Sequence, residues 1–299
     1  MRWDGGHKRE RFLTDVLAPF VEWVPVCPEL ELGMGVPREP VSLALEAGEL
    51  RLRGNASGED WTARMRAFAS QRARELEAAE LCGYVLKKDS PSCGMERVKV
   101  KRAPAPPKRD GRGLFATALI ERLPLLPVEE EGRLMDAGLR ENWIERVFAY
   151  ARLRALFASR FSVGALVTFH AAHKLQLLAH STEAYRALGR LVGSAKHAPR
   201  AALRAAYARG FMSALGVRAT RGRHVNVLEH CVGYLRDRVD ADVRAALAAQ
   251  IADYRAGLTP LIVPVTMLRH YVERCGVAYL AQQTYLEPHP KELMLRNHV

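Results

Sequence analysis

The sequence has no long apolar run. Its 299 residues are 48% hydrophobic, yet no stretch approaches the roughly 20 apolar residues that span a bilayer, which excludes a helical membrane protein. Met1–Lys8 lacks the apolar core of a secretory signal, so the expected location is cytoplasmic, with no membrane partner. There are only five cysteines, and none forms a Cys-x-x-Cys pair. An odd, scattered set in a cytosolic chain argues against a disulfide framework and against a four-ligand structural zinc. Aromatic residues make up only 7%, so the interior must pack chiefly through Leu, Ala and Val. Acidic residues are scarce in one half alone. Residues 1–133 hold 22 Lys+Arg against 21 Asp+Glu, and residues 134–299 hold 23 against 12, which gives +1 and +11 of the net +12. Arginine dominates the excess, and its planar guanidinium pairs with phosphate and stacks on bases. The asymmetry points to a polyanion-binding second half, with RNA or DNA ahead of anionic membrane. The plainer alternative is a solvated, Arg-rich helical surface.

A chain of this length makes two domains, and two textures divide it. Residues 1–133 mix short apolar runs with turns: Val24-Pro25-Val26, Val41-Ser42-Leu43, Leu50–Arg53, Gly83–Leu86 and Gly113–Glu121. Between them Asp60–Leu81 has helical spacing, with Trp61, Met65, Phe68 and Leu76 on one face. This predicts an α/β domain over 1–126 with a mainly parallel sheet in Rossmann-like layers. Ala103–Pro107 is expected as a bend inside it, and Pro-rich, acidic residues 127–133 as the linker. From Leu134 onward Ala, Leu and Arg recur at helical spacing. The expected helices are Asp136–Arg160, Val163–Ala179, Glu183–Ala195, Pro199–Ala214, Arg218–Arg236, Asp240–Ala256, Pro260–Tyr271 and Ala278–Leu286, so 134–299 is an all-α domain.

Two segments of the first half can carry chemistry. Cys27 opens Cys-Pro-Glu-Leu-Glu-Leu-Gly-Met-Gly-Val-Pro-Arg-Glu-Pro, a loop whose backbone amides can stabilise a thiolate and whose glycines let the backbone approach a ligand. Cys93 closes Lys87-Lys88-Asp89-Ser90-Pro91-Ser92-Cys93-Gly94, a tight turn with two hydroxyls. Both follow strand-like runs, where open α/β sheets place their sites. Thiolates from separated loops can hold an iron–sulfur cluster. Two buried loop-core cysteines are the alternative, since free Cys is among the most buried residue types.

Arg2-Trp3-Asp4-Gly5-Gly6-His7-Lys8-Arg9, Cys27-Pro28-Glu29 with Gly33, Pro37-Arg38 and Pro40, and Lys87–Gly94 resemble the thiouracil desulfidase family over most of residues 1–120. The resemblance implies a [4Fe–4S] cofactor held by three cysteines, with one iron open to sulfur from a thiocarbonyl. Cys27 and Cys93 match two of these ligands. The third lies, in the family, a few residues before the segment matching Arg2–Gly5, ahead of where this chain begins, so a start placed too late is expected. Cys82, in the strand-like run Leu81–Leu86, is read as a core residue. Glu29 is the expected general acid or base, Ser90 and Ser92 bond substrate or relay a proton, and Asp4 is a further candidate. The alternatives are that Glu29 caps a turn and that Ser90 forms one.

In the second half, Phe169-His170-Ala171-Ala172-His173-Lys174 through Ser181, then Tyr185, Leu188-Gly189-Arg190 and Pro290–His298, resemble the YbgA-type domain found fused behind desulfidase domains. His170, His173 and Lys174 share one helical face. That face is expected to meet RNA phosphate or the partner domain, with Arg186 and Arg190 beside it, rather than zinc. Together the halves imply removal of sulfur from a thiolated pyrimidine, 4-thiouridine in tRNA, by an enzyme carrying its own RNA-binding domain. Two alternatives stand beside this: a desulfidase of free thiouracil-type bases, and a nucleic-acid-binding protein with a degenerate cluster site.

Overall fold

The computed structural model describes Asp4, Gly6 and residues 9–299, and the chain forms two compact units, Met1–Met135 and Asp136–Val299. The first is α/β. Val41–Glu46 (β1) and Glu49–Gly54 (β2) form an antiparallel hairpin through the two-residue turn Ala47-Gly48. β1 then pairs in parallel with Val98–Arg102 (β4), which pairs antiparallel with Ala105–Gly111 (β5), giving the order β2-β1-β4-β5. A second sheet joins Tyr84–Leu86 (β3) to Val128–Glu130 (β6) in parallel. The four-stranded sheet is therefore mixed and the two-stranded sheet parallel, and among the named strands parallel and antiparallel pairings are equal in number. Two antiparallel ladders arise because β2 and β5 each follow their partner through a tight turn, which no parallel connection can do.

Helices Pro28–Glu31 (α1), Thr62–Ala78 (α2) and Leu114–Arg122 (α3) complete this unit, with α2 packed on α3. Its core gathers Leu43 and Leu52 from the hairpin, Met65, Ala69 and Leu76 from α2, Val98 and Val100 from β4, and Phe115 and Leu119 from α3. The segment 127–133, expected as a linker, contains β6. Glu129, Glu130 and Glu131 are buried there at 6%, 3% and 7% exposure, and the division between units falls after Met135. β5, expected only as a bend, is a strand whose residues are nearly all exposed. Its Pro106, Pro107, Lys108 and Arg109 suit a sheet edge, where no further ladder forms.

The second unit is helical: Ala137–Ala158 (α4), Val163–Ala172 (α5), Lys174–His180 (α6), Thr182–Gly193 (α7), Arg200–Gly216 (α8), Arg221–Leu235 (α9), Ala241–Ala256 (α10), Ile262–Arg274 (α11) and Ala278–Ala281 (α12). Five of these begin where a side chain takes a free amide of the first turn. Asp136 accepts from Leu139 N, Ser162 from Ala165 N, Ser181 from Ala184 N, Thr220 from Arg223 N and Asp240 from Val243 N, at 2.8 to 3.3 Å. The run expected as one helix over Val163–Ala179 breaks at His173. Gln283 and Thr284 take up the backbone groups released there. Gln283 accepts from Leu175 N at 3.2 Å and donates to Ala171 O at 2.9 Å, and Thr284 N donates to Ala172 O at 3.0 Å. Among the described residues no helix is long and apolar enough to cross a membrane.

Candidate active site

The Cys27 loop is built on a very short helix. Val24-Pro25-Val26 is irregular backbone rather than a strand, and Cys27 sits at the N-cap of α1. Cys27 N donates to Glu31 Oε1 at 3.1 Å, and Glu31 pairs with Arg72 of α2 at 3.0 Å, which ties the loop to the core helix. Gly33 and Gly35 have φ of +89° and +75° and open space beside them. They serve the turn, and no close approach of backbone to a neighbour is present there.

The Cys93 loop follows β3 and is fixed by its own hydroxyl and by α3. Ser90 Oγ accepts from Ser92 N at 3.2 Å and from Cys93 N at 3.0 Å. The amides at the start of α3 donate to the same loop: Leu114 N to Pro91 O at 3.2 Å, and Phe115 N and Ala116 N to Ser92 O at 3.0 and 3.1 Å. This close seating requires glycine on both sides. A Cβ on Gly94 would stand 2.8 Å from Ser90 O, and one on Gly113 would stand 2.7 Å from Cys93 N. The acidic end of β6 braces the loop from outside. Lys88 N donates to Glu131 Oε2 and Met95 N to Glu130 Oε1, both at 2.7 Å, and Lys87 pairs with Glu131. Sequence reasoning missed both glutamates because an acidic run after prolines reads as a solvated connection.

The two loops meet through Glu29. Ser92 Oγ donates to Glu29 Oε1 at 2.8 Å. Arg38 grips Glu29 Oε2 with Nε at 2.9 Å and Nη2 at 2.6 Å, and its Nη1 donates to Gly35 O at 3.1 Å. The Arg38 side chain is 4% exposed and that of Glu29 is 15% exposed, so the carboxylate keeps a window to solvent while its guanidinium partner does not. Two guanidinium donors on one oxygen and the Ser92 hydroxyl on the other fix the carboxylate's plane as well as its position. Arg38 is thus a site residue whose role the sequence did not disclose, since nine positions separate it from Glu29. Ser92 is wholly buried, and its hydroxyl serves Glu29 instead of substrate. Ser90 turns the loop and hydrogen-bonds the Cys93 thiol.

Cys93 and Cys27 lie within electrostatic reach of each other. Burial, then the charges of Glu29 and Cys27, push the Cys93 thiol well above its usual value, and the Ser90 hydrogen bond pulls against them. Tyr84 lines the same place. Its phenol is raised by burial first and then by Cys93, Glu31 and Cys27. A buried thiol that senses both a carboxylate and a second cysteine would be relieved by a bound cationic metal centre. The pair suits two of a cluster's thiolate ligands, and the described residues supply no third. Cys82 stands before β3 while the Cys93 loop follows it, and a three-residue strand is about 10 Å long. Among the described residues no group of three or more His, Cys, Asp and Glu stands together as a metal site. Asp4 is exposed and accepts from Gly6 N at 3.0 Å. Arg2, Trp3, Gly5, His7 and Lys8 of the motif lie outside the described residues.

In the second unit the expected RNA contacts divide. His170 and His173 are buried, at 9% and 2% exposure, which corrects their expected place on a phosphate-facing surface. His170 Nδ1 meets Tyr207 Oη at 3.1 Å, and its ring stacks on Tyr185. His173 donates from Nδ1 to Phe169 O at 2.7 Å and stacks on Phe169 with centroids 3.9 Å apart. Burial lowers both, His173 to about 4, so neither brings positive charge to a phosphate near neutral pH. Lys174 is half-buried beside the Tyr279 ring. Arg186 and Arg190 are exposed one turn apart on α7.

This unit also buries a network of its own. His180 faces acceptors from both ring nitrogens, Val217 O at 2.6 Å and Glu145 Oε2 at 3.2 Å, and Glu145 Oε1 takes Gln176 Nε2 at 2.8 Å. Burial alone would lower His180, but the Glu145 charge and hydrogen bond overcome it and raise the imidazole. Burial alone would likewise raise Glu145, and the His180 charge holds it well below the carboxylate range. Glu141, paired with Arg296 at 3.4 Å, is raised to about 7 by burial and by Glu145. Glu141 also lines a cleft of about 360 Å³ with Asp136, Asn142, Arg218, Arg221 and Tyr254. Its mixed charge does not mark it as a phosphate site.

With this geometry in place, the comparisons fall on the same division. The family profile described as 2-thiouracil desulfurase matches residues 1–131, and the one described as a protein of unknown function (DUF1722) matches residues 174–290. The uncharacterized protein YbgA of Escherichia coli K12 is 35% identical over 158 residues, covering 52% of this chain and 94% of that protein. No solved structure matches the chain. The chain belongs to the YbgA family and carries a 2-thiouracil desulfurase domain at residues 1–131, which supports a thiopyrimidine desulfidase.

Proposed function

We propose that the chain removes sulfur from 4-thiouridine in tRNA, leaving uridine, with a [4Fe–4S] cluster as cofactor. The observation that carries this is the meeting of the Cys27 and Cys93 loops through the Ser92–Glu29 hydrogen bond, with Glu29 gripped by Arg38 and Cys93 within electrostatic reach of Glu29 and Cys27, in a near-neutral unit followed by one of charge +11. Cys27 and Cys93 would supply two of the cluster's ligands. When bound, the cluster supplies an open iron as a Lewis acid for the thiocarbonyl sulfur.

The chain's own residues do the rest. Glu29, with its solvent window, takes a proton from the water that attacks C4 and returns it to the departing sulfur. Oxygen replaces sulfur on carbon, and sulfur leaves as hydrogen sulfide, so the exchange balances with one water and no redox partner. Arg38 and Ser92 keep the Glu29 carboxylate in one orientation through the proton transfers. Ser90 and the α3 amides keep the Cys93 loop closed. Exposed arginines of the second unit, Arg186 and Arg190 among them, bind phosphate without reading sequence, and the first unit acts on an accessible or extruded base.

Anaerobic reconstitution with iron and sulfide is expected to give a brown protein, and a colourless one would defeat the cluster. Incubation of that protein with thiolated tRNA, followed by nucleoside analysis, is expected to show 4-thiouridine falling and uridine rising. Unchanged tRNA beside desulfuration of free 2-thiouracil would move the substrate to the free base.

A further inference from the structure

The near-neutral charge of the first unit conceals a division within it. Residues 97–112 hold seven Lys+Arg against one acid, Asp110, which is +6. The rest of residues 1–133 holds 15 Lys+Arg against 20 Asp+Glu, which is −5. Glu96, at the border, is taken by Arg133. The basic run is the β4–β5 ribbon with its flanks.

The register puts much of this charge on one face. Val98 and Val100 of β4 enter the core, so Lys99 and Lys101 project from the opposite side and are exposed. Lys99 stands opposite Arg109 of β5, and Lys101 beside Ala44 of β1. At the far edge of the same sheet the arginines of β2 are neutralised: Arg53 pairs with Glu46 and Asp60, and Arg51 with Glu49 and Asp60. The ribbon is less compensated. Arg102 pairs with Asp110 at 2.8 Å and Arg109 with Asp89 at 2.7 Å, while Lys101 donates to the neutral Asn55 Oδ1 at 2.9 Å. Arg97, Lys99 and Lys108 are exposed and have no acidic partner among the described residues.

The ribbon is tied to the Cys93 turn. Arg112 Nε donates to Met95 O at 2.9 Å, and Gly113 N to Gly94 O at 2.8 Å. Asp89, which takes Arg109, lies four residues before Cys93, and Arg97 four after it. Five residues of strand reach about 16 Å. A stacked nucleic-acid strand carries one phosphate per roughly 3.4 Å, so the face has room for several. Among the described residues no large exposed hydrophobic side chain falls in 97–112, so the face lacks the apolar groups that enter a lipid interface. Arg2 and Lys8, outside the described residues, are cationic themselves and do not neutralise it.

We propose that the outer face of the β4–β5 ribbon binds the phosphates of the RNA strand flanking the thiolated nucleotide, so that the first unit holds its substrate by the backbone as well as by the base. This rests on the RNA desulfidase activity proposed above, and adds a phosphate contact beside the thiols to the one assigned to the second unit. Lysine suits the task, because a flexible point charge meets phosphate without reading sequence.

The test compares wild type, the ribbon variant Lys99→Ala/Lys101→Ala/Lys108→Ala, and a control that removes three exposed arginines of α2, Arg64→Ala/Arg66→Ala/Arg74→Ala. All six side chains are exposed. Binding of sulfur-free oligouridylate, read against salt, needs no cofactor. Each phosphate contact on a single strand contributes about 0.7 to the slope of log K against log salt, so the ribbon variant is expected to lower the slope by about 2 and the control to leave it nearly unchanged. On an oligoribonucleotide with one internal 4-thiouridine, the ribbon variant is expected to lose roughly 3- to 150-fold in kcat/KM, through KM, as three exposed ion pairs would give.

An unchanged slope, or an equal fall in the control, would overturn the ribbon as an RNA contact. So would tighter binding of wild type to phosphatidylserine vesicles than to oligouridylate, lost in the ribbon variant, because the face would then serve an anionic membrane. Wild type that desulfurates free 4-thiouracil and leaves the oligonucleotide untouched would overturn the flanking-strand role together with the activity it rests on. Failure of the ribbon alone looks different: wild type acts on the oligonucleotide and the slope does not move.

Discussion

The two units spend their polar groups in opposite ways. In the first, charged side chains gather at loops and stay near a window: Glu29 keeps 15% exposure between Arg38 and Ser92, and Cys93 lies within electrostatic reach of Glu29 and Cys27. In the second, Glu145, His180, Gln176 and Arg296 are sealed inside the helices at 3% exposure or less, while arginine covers the outside. Burial of an ion pair is weak grounds for stability, since desolvation offsets much of the attraction. The comparison separates a chemical site, which needs an opening, from a structural network, which needs none. Histidine content alone points to the second unit, yet the motif histidines His170 and His173 are core residues, and the proposed chemistry sits where the two cysteine loops meet at Glu29.

The largest effects should come from the thiols. Cys27→Ser and Cys93→Ser are each expected to abolish desulfuration while near-UV circular dichroism stays native, and retained turnover in either would remove that thiol from the site. Glu29→Gln comes next, with an expected loss of about 10²–10⁴-fold in kcat, the usual contribution of a positioned acid or base. Arg38→Lys keeps the charge but loses the fork. Its loss should be smaller than that of Glu29→Gln and larger than twofold, and equal losses would make Arg38 more than a positioning residue.

The sealed network should reveal itself through pH. Glu141 is raised to about 7 from an ordinary 4.5, and His180 is raised above 6.5. Both groups bind protons more tightly folded than unfolded, so both lose stabilisation as pH rises. For Glu141 the loss runs from about 4.5 to about 7, and for His180 it begins at 6.5. Buried histidines such as His170 and His173 are lowered and gain stability over the same rise in pH, so the variant isolates the glutamate: the Tm of wild type relative to that of Glu141→Gln is expected to fall between pH 5 and pH 7. A wild-type Tm that holds or rises relative to that of Glu141→Gln over this range would contradict the buried-network account.

The smallest effect belongs to the surface. Replacing Arg186 and Arg190 together by Ala is expected to weaken tRNA binding several-fold and to reduce the slope of log K against log salt by about 2, roughly 1 per phosphate contact. His170→Gln should leave that slope unchanged. If the histidine variant moved the slope and the arginine pair did not, the assignment of inside and outside in this unit would be reversed.

Most of the second unit was legible in the sequence because helix starts and hydrophobic spacing are local properties. Asp136, Ser162, Ser181, Thr220 and Asp240 cap helices close to the positions expected. The break at His173 was not legible, because the partners that stabilise it, Gln283 and Thr284, lie more than 100 residues away. In the first unit Cys27, Cys93 and Glu29 were visible from their motifs, while the geometry joining them was not. Arg38 reaches back nine positions to Glu29, and Ser92 reaches 63. β4 and β5 were missed because Val98–Arg102 alternates with lysine and Ala105–Gly111 is polar throughout. A sheet edge asks little of hydrophobicity.

One feature of the Cys93 loop bears on how a cofactor would be received. The Phe115 and Ala116 amides both end on the Ser92 carbonyl, so the first turn of α3 and the cysteine turn form one hydrogen-bonded piece. The loop is held by the helix through its own backbone, whatever its thiol binds. If the proposed cluster binds there, it adds little order to this turn. Exchange of those two backbone hydrogens is expected to be slow without it and little slower with it.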